Sequence, residues 1–322
     1  MFKILTIDGG GIKGVFPAAL LAKIEDVIGT NIGGYFDLIA GTSTGGIIAL
    51  ALALRIKAER ISRLYYEYGP KIFPSSMSIY RRLSHYVRCK YKTDPLFNAL
   101  KEVFEDHKLG DCRSRVLIPT FNALNGHTKI YKTPHHKRFE SDWSERVIDV
   151  ALATSAAPTY FAPYVSRDSI TLIDGGIWAN NPTGIAVVEA VGVLKQSAEE
   201  IRTLSIGCTC EPQSFMLKNK GLIGWRRKAI EAAFCGQSYG SMGIATALIS
   251  SERITRIDID TEPRRFSLDD AKRVNELVGL GKEAAQRHIS DLRKHFFEEP
   301  AAPFIPLYGA SSTDQVAQSN PL

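Results

Sequence analysis

The segment Gly41-Thr-Ser-Thr-Gly45 holds the residue with the most specific chemistry in this chain, a serine flanked by glycines. An apolar run typical of a buried strand, from Phe36 to Ala40, precedes it, and a run typical of a helix, from Ile47 to Leu54, follows. Strand, sharp turn and helix are the surroundings in which a Gly-x-Ser-x-Gly serine attacks a carbonyl carbon. The glycines fit because a turn this tight leaves no room for neighbouring Cβ atoms. We therefore predict that Ser43 is a nucleophile.

A glycine-rich turn, Asp8-Gly-Gly-Gly-Ile-Lys-Gly14, follows the first predicted strand, from Phe2 to Ile7. The N–H groups of Gly9, Gly10 and Gly11 have no side chains in front of them, so an approaching oxygen can reach them. Acyl transfer needs such donors to stabilise the oxyanion. Neighbouring parallel strands open their loops at one edge of a sheet, which would place this turn beside the serine. We predict that these glycines form an oxyanion hole.

The same turn also matches Gly-x-Gly-x-x-Gly, the pattern of dinucleotide-binding loops, between Gly9 and Gly14. That pattern requires an acidic residue at the end of the second strand. Here the second strand ends in Ala40-Gly-Thr-Ser43, and Glu25 and Asp26 fall within the first predicted helix instead. A phosphate-binding P-loop is also disfavoured, because no Gly-Lys-Ser/Thr follows. Dinucleotide binding is thus the weaker interpretation of this turn.

The proton acceptor for Ser43 is predicted to be an aspartate. In the usual hydrolase order, only His288 and His295 follow an acidic candidate, and they lie on one predicted helix away from strand ends. Asp174 ends a short predicted strand and precedes two glycines, which would place it at the same sheet edge as Ser43. In a partly dry site a carboxylate bonded to the serine hydroxyl can accept its proton. The alternative is a turn aspartate that caps a local loop.

The order of elements favours an α/β fold with a central, mainly parallel sheet flanked by helices. The first fifty residues alternate strand, helix, strand and helix, which is typical of parallel sheets. Later segments add further strands and helices, with a predicted helix end at Gly69-Pro70 and a helical region at 214–251 broken by glycines. We predict one domain over residues 1–300, with core motifs in 2–210, helical additions in 211–300, and an extended or disordered tail at 301–322.

Composition and charge set limits on partners and compartment. The chain has 322 residues and a net charge of +6, which permits attraction to anionic lipid surfaces, nucleotides or nucleic acid and selects none of them. Its five cysteines form no Cys-x-x-Cys pair and no metal-ligand spacing, so we predict reduced thiols, a cytoplasmic location and no metal. We also predict no cofactor. No signal-peptide pattern and no apolar run near the ~20 residues of a membrane span occur.

Two segments keep alternative interpretations. Residues 71–94 are basic and aromatic, which indicates either a solvated surface excursion or a lid that flanks the site. Residues 214–236 contain Gly221-Leu-Ile-Gly-Trp-Arg-Arg-Lys228, which either packs against the core or lies on a lipid interface as an amphipathic element.

Taken together, these motifs resemble those of the patatin-like phospholipases. The three blocks at 8–14, 41–45 and 174–176 stand in that family's order, and Ala153–Phe161 and Asn180-Asn-Pro182 resemble further family segments. The resemblance covers about residues 2–210 and implies a three-layer fold. It also implies a lipid acyl hydrolase with a Ser–Asp dyad, without a metal, whose substrate is membrane glycerophospholipid. The implied supporting residues are Lys13, Gly14, Gly41, Gly45, Gly175 and Gly176.

Within the family, the chain looks most like bacterial effectors of cyclic-nucleotide antiphage signalling. This resemblance implies that a cyclic dinucleotide switches on phospholipid degradation at the inner membrane surface. It leaves a homo-oligomer open and implies no nucleic-acid polymer as partner. Two alternatives remain, a catalytically silent lipid- or nucleotide-binding module and a constitutive lipid acyl hydrolase. Candidate phosphate contacts, or simply solvated surface cations, are Arg81-Arg82, Arg226-Arg227-Lys228 and Arg264-Arg265.

Overall fold

The computed structural model describes residues 1–74, 88–210, 222–262 and 265–309, with no side chains described at 222–224 and 226–231. One sheet of eight strands runs through these residues. Its strands are β1 Phe2–Ile7, β2 Leu38–Gly41, β3 Arg115–Asn122, β4 His127–Lys132, β5 Tyr164–Val165, β6 Thr171–Asp174, β7 Ile201–Ile206 and β8 Ile254–Ile257.

The sheet is parallel in its centre and antiparallel at one end. Its order is β5-β6-β3-β2-β1-β7-β8, and β4 pairs with β3 outside this path. Strands β3, β2, β1, β7 and β8 are mutually parallel, whereas β4 and β6 run antiparallel to β3. All six residues of β1 are buried, because helices cover both faces of this central strand. The predicted mainly parallel sheet is confirmed.

Helices form a layer on each face of the sheet, as the alternation in β1 indicates. Leu5 and Ile7 belong to a large core with helices α1, α2, α3, α4, α5 and α9, while Phe2 and Ile4 belong to a smaller core with α7 and α8. The helices are α1 Val15–Ile28, α2 Thr44–Ala53, α3 Ala58–Ile72, α4 Asp94–Phe104, α5 Val147–Thr154, α6 Gly176–Ala179, α7 Thr183–Val188, α8 Leu222–Ile249 and α9 Val274–Phe296. The three-layer fold agrees with the prediction.

Two helix predictions are wrong in detail. Helix α3 continues through Pro70 to Ile72. Proline removes the bond to the carbonyl of Tyr66, a residue that is 55% exposed, so the missing donor lies on the outer side of the helix. Helix α8 is continuous over its glycines, each of which costs about 1 kcal/mol in a helix interior. Burial of Ala245 and Ile249 against the smaller core offsets this cost.

The C-terminal residues 301–309 contain no helix or strand and lie along the surface. The N–H of Ala301 donates to the carbonyl of Gly34, and that of Leu307 donates to Pro134. Residues 310–322 lie outside the described chain, so the division at residue 300 stays a prediction.

Candidate active site

Strands β2 and β6 approach each other end to end along one edge of β3. Ala40 of β2 pairs with Leu117, and Asp174 of β6 pairs with Thr120, three residues further along β3. Both pairings lie on the same edge, since β4 occupies the opposite edge of these β3 residues. β2 is parallel to β3 and β6 is antiparallel, so their C-terminal ends face each other. Asp174 therefore reaches the elbow serine from the opposite direction to β2.

Ser43 stands two residues beyond β2 with a strained backbone. Its φ of 56° and ψ of −124° lie in a region that costs a non-glycine residue about 1–3 kcal/mol. The hydroxyl of Thr154 holds it there by accepting the Ser43 N–H at 3.0 Å and donating to the Pro119 carbonyl at 2.7 Å. This contact ties the elbow to α5 and β3. The geometry presents the serine side chain at the start of α2.

Asp174 is buried, 5% exposed, and lies against the serine. Burial raises its pKa to about 6, although hydrogen bonds from the Ser43 hydroxyl and the Gly176 N–H lower it. The Gly176 bond to Oδ1 measures 2.7 Å. No charged side chain of the described residues contributes to this shift. At neutral pH the carboxylate is ionised, yet more basic than an ordinary aspartate, and is placed to accept the serine proton.

The glycine-rich turn lies beside Ser43, but its three N–H groups differ. The N–H of Gly9 donates to the Asn180 carbonyl at 3.0 Å, so, contrary to the prediction, it is not free to bind an oxyanion. Gly9 instead allows the turn to approach Ser43 closely. Within the described ranges, the N–H groups of Gly10 and Gly11 have no acceptor. Gly11 has a φ of 57°, and a Cβ there would overlap the Leu268 carbonyl. Two donors thus remain available for an oxyanion.

An ion pair and a backbone hydrogen bond hold the glycine-rich turn in place. Arg256 of β8 donates to both carboxylate oxygens of Asp8, at 3.0 and 2.6 Å, and to Asp258 at 2.8 Å. The N–H of Ile12 donates to the carbonyl of Leu268 at 2.8 Å. A bidentate, largely buried pair restricts both position and orientation. The turn is therefore held between β8 and the 265–270 loop.

The family model of patatin-like phospholipases matches residues 5–187, which include the glycine-rich turn, the serine elbow and the Asp174 strand end. The chain belongs to the patatin-like phospholipase family. The predicted family, its fold and its class as a lipid acyl hydrolase are thereby confirmed.

Several relatives resemble the chain over most of its length. A cGAMP-activated phospholipase of Vibrio cholerae is 38% identical over 90% of this chain and 84% of its own. One of Pseudomonas aeruginosa is 33% identical over 90% of both chains. A cUMP-AMP-activated phospholipase of Escherichia coli is 30% identical over 66% of each. The predicted resemblance to cyclic-nucleotide effectors is confirmed by these relatives.

The remaining motif residues of this patatin-like chain are close-packed. Lys13 is half-buried, and its Nζ donates to the Thr209 carbonyl at 3.4 Å. Gly176 lies between the side chains of Asp174 and Asn180, where a Cβ would come within 3.1 Å of an oxygen of each. At four further glycines a Cβ would overlap a neighbouring oxygen, namely Gly14, Gly41, Gly45 and Gly175.

Three contributors to the site were missed by sequence reasoning. Thr154 and Asn180 fall in segments that resemble the family, but no pattern indicated what they contact. Gln237 of α8 bonds to the backbone at Gly176 and Asn180, and no local signal marks it. Each contact joins residues far apart in the chain.

Other predicted positions are engaged elsewhere or not described. Arg265 pairs with Glu276 at 2.8 Å, so its charge is already matched. Within 71–94, residues 75–87 lie outside the described chain, while the Tyr91 hydroxyl donates to Asp269 at 2.8 Å. Arg81, Arg82 and Arg264, residues 214–221, and the side chains of Arg226, Arg227 and Lys228 are likewise outside it.

In the part of the chain that the structure describes, no group of three or more His, Cys, Asp or Glu side chains is arranged to hold a metal ion. Searching the same residues for a helix with the length and apolar character of a membrane span finds none.

Proposed function

We propose that this protein hydrolyses the ester-linked acyl chains of membrane glycerophospholipids, with Ser43 as nucleophile and Asp174 as base. The observation that carries the proposal is the buried Asp174 carboxylate, with a pKa of about 6, bonded to the hydroxyl of the strained elbow serine. Membership of the patatin-like phospholipases supports the substrate class. The basic net charge of +6 is compatible with contact with an anionic bilayer.

Acylation begins when the Ser43 oxygen attacks the ester carbonyl carbon and its proton passes to the Asp174 carboxylate. The carbonyl oxygen becomes an oxyanion, which the N–H groups of Gly10 and Gly11 stabilise. When the tetrahedral intermediate collapses, the ester C–O bond breaks. The departing alkoxide takes the proton from Asp174 and leaves as a lysophospholipid, with the acyl group on Ser43.

Deacylation repeats these steps with water. Asp174 accepts a proton as the water oxygen attacks the acyl carbon, and the same two N–H groups face the oxyanion. Collapse releases the fatty acid and returns the proton to Ser43. One carboxylate with a pKa near the working pH serves both half-reactions, because it must accept and then return a proton.

A cyclic dinucleotide is proposed to switch this hydrolysis on at the cytoplasmic face of the membrane. The support is that two relatives covering most of this chain are named cGAMP-activated, and a further one cUMP-AMP-activated. Because the named nucleotide differs between relatives, the test compares cyclic dinucleotides that carry different nucleobases.

The test is fatty acid release from phosphatidylglycerol and phosphatidylethanolamine vesicles, with cGAMP, cUMP-AMP, cyclic di-GMP or no nucleotide, using wild-type and Ser43→Ala proteins. We expect release from the wild type with a dinucleotide and none from Ser43→Ala. Equal release with and without every nucleotide would show a constitutive hydrolase. No release under any condition, together with nucleotide or vesicle binding, would show a silent binding module.

A further inference from the structure

Gln237 of helix α8 contacts the segment that follows Asp174. The Gln237 side chain accepts the Asn180 N–H at its Oε1, at 2.7 Å, and donates from Nε2 to the Gly176 carbonyl, also at 2.7 Å. The two backbone groups belong to opposite ends of the short helix α6, Gly176–Ala179. One amide thus spans the segment that follows Asp174.

Gly176 and Asn180 use their other polar groups to bond to residues of the proposed chemistry. The N–H of Gly176 donates to Asp174 Oδ1 at 2.7 Å. Asn180 accepts the Gly9 N–H and donates its own side-chain amide to the Gly9 carbonyl. Gln237 therefore joins the loop that orients the base to the loop that offers the oxyanion donors.

We infer that Gln237 is a positioning residue that sets the spacing between Asp174 and the Gly9–Gly11 turn, an inference that rests on the proposed Ser43–Asp174 mechanism. Gln237 touches neither reacting atom. It acts through Gly176 and Asn180, so its contribution is to geometry at the transition state. Displacement of a catalytic group by about 1 Å can cost about a hundredfold in rate.

The chemistry of the side chain explains why an amide is required. Position 237 must accept one hydrogen bond and donate another, which a neutral amide does at once. An ionised glutamate accepts only, so it loses the bond to the Gly176 carbonyl, and it adds a negative charge near Asp174. A methionine of similar length makes neither bond. A nearby negative charge raises the pKa of a carboxylic acid, so only the glutamate alters the titration of Asp174.

The experiment compares Gln237→Glu, Gln237→Met and wild type on a soluble ester substrate across pH. Both variants are expected to lower kcat about ten- to hundredfold with KM within about twofold. In Gln237→Glu the acid limb of the pH profile moves upward, whereas in Gln237→Met its midpoint stays in place. Gln286→Glu, on the exposed side of α9, adds the same charge at a distance and should match wild type.

A second control separates catalytic positioning from helix docking. Ser241 also anchors α8, by accepting the Gly184 N–H at 2.8 Å and donating to the Asn181 carbonyl at 2.7 Å. We expect Ser241→Ala to lower the unfolding temperature but to keep kcat within about twofold of wild type, unlike Gln237→Met.

The inference is overturned if Gln237→Met keeps most of the wild-type kcat, or if Gln237→Glu leaves the acid limb unmoved. Should Gln237→Met fail to fold, Gln237→Glu decides alone, and the inference is then overturned if it keeps most of the wild-type kcat or leaves the acid limb unmoved. The Ser43→Ala variant distinguishes a failure of the proposed mechanism from a failure of the role inferred for Gln237. Activity retained in Ser43→Ala removes the proposed mechanism, whereas an inactive Ser43→Ala beside an unaffected Gln237→Met removes only the role of Gln237.

Discussion

Asn180 and Gly9 are hydrogen-bonded to each other in both directions. The Asn180 carbonyl accepts the Gly9 N–H at 3.0 Å, and the Asn180 side-chain amide donates to the Gly9 carbonyl at 3.2 Å. This reciprocal pair joins two loops 171 residues apart in the chain. It also uses the Gly9 N–H, which leaves Gly10 and Gly11 as the donors proposed to face the oxyanion.

Asn180→Asp should lower kcat about ten- to a hundredfold, because the new carboxylate cannot donate to the Gly9 carbonyl and repels it. The measurement is steady-state hydrolysis of a soluble ester, with circular dichroism as the test of folding. Asn125→Asp makes the same chemical change in the exposed β3–β4 turn and serves as the control. Equal activity in the two variants would contradict a catalytic role for the reciprocal pair.

The pH dependence of kcat/KM should report the pKa of Asp174. Its pKa is raised to about 6 by burial, and only the ionised form accepts the Ser43 proton. Activity should therefore be constant above this value and fall about tenfold per pH unit below it. A soluble short-chain ester avoids pH effects on vesicle charge. An acid limb that bends near pH 4, where an exposed aspartate titrates, would contradict the buried, raised carboxyl.

Asp174→Asn should be inactive and yet more stable than the wild type above pH 6. The folded pKa of Asp174 exceeds its unfolded value, so the wild type loses stability as pH rises from about 4 to about 6. This rise in pKa corresponds to about 3 kcal/mol, which the asparagine variant does not lose. Urea unfolding at pH 8 and pH 4 measures the difference in unfolding free energy between Asp174→Asn and the wild type. This difference should shrink toward zero at the lower pH. A difference that is independent of pH would be inconsistent with this assignment.

Thr154→Val should damage both the elbow and the fold. It leaves the Ser43 N–H and the Pro119 carbonyl without their buried partner, which costs about 2 kcal/mol or more in stability. We expect kcat to fall at least about tenfold, since the strained Ser43 backbone is no longer held. Thr154→Ser keeps the hydroxyl and should retain most activity. If valine and serine variants behaved alike in kcat, Thr154 would matter only for packing.

Local sequence patterns predicted the parts of the site that are local in the chain. The elbow around Ser43 follows from a strand, a turn and a helix within twenty residues, and Asp174 follows from a strand end before two glycines. The sequence did not predict the direction of β6 in the sheet. An apolar run of four residues does not show whether its strand is parallel or antiparallel, because the partners in β3 decide that.

Contacts between distant segments could not be predicted either. From the sequence alone, the N–H of Gly9 has no side chain in front of it and looks available. Only the folded position of Asn180 shows that this donor is already bonded. The continuity of α8 depends in part on packing against the smaller core, which local helix propensity does not reveal. Gln237 stands in that helix without a motif, so its link to Gly176 required the fold.

Labelling with a fluorophosphonate serine probe tests whether Ser43 is the nucleophile activated by Asp174. Peptide mapping by mass spectrometry locates the adduct, and its formation is timed in wild type, Ser43→Ala and Asp174→Ala. We expect a single adduct on Ser43 in the wild type, none in Ser43→Ala, and much slower labelling in Asp174→Ala. An adduct at another serine, or hydrolysis that continues in Ser43→Ala, would contradict this assignment.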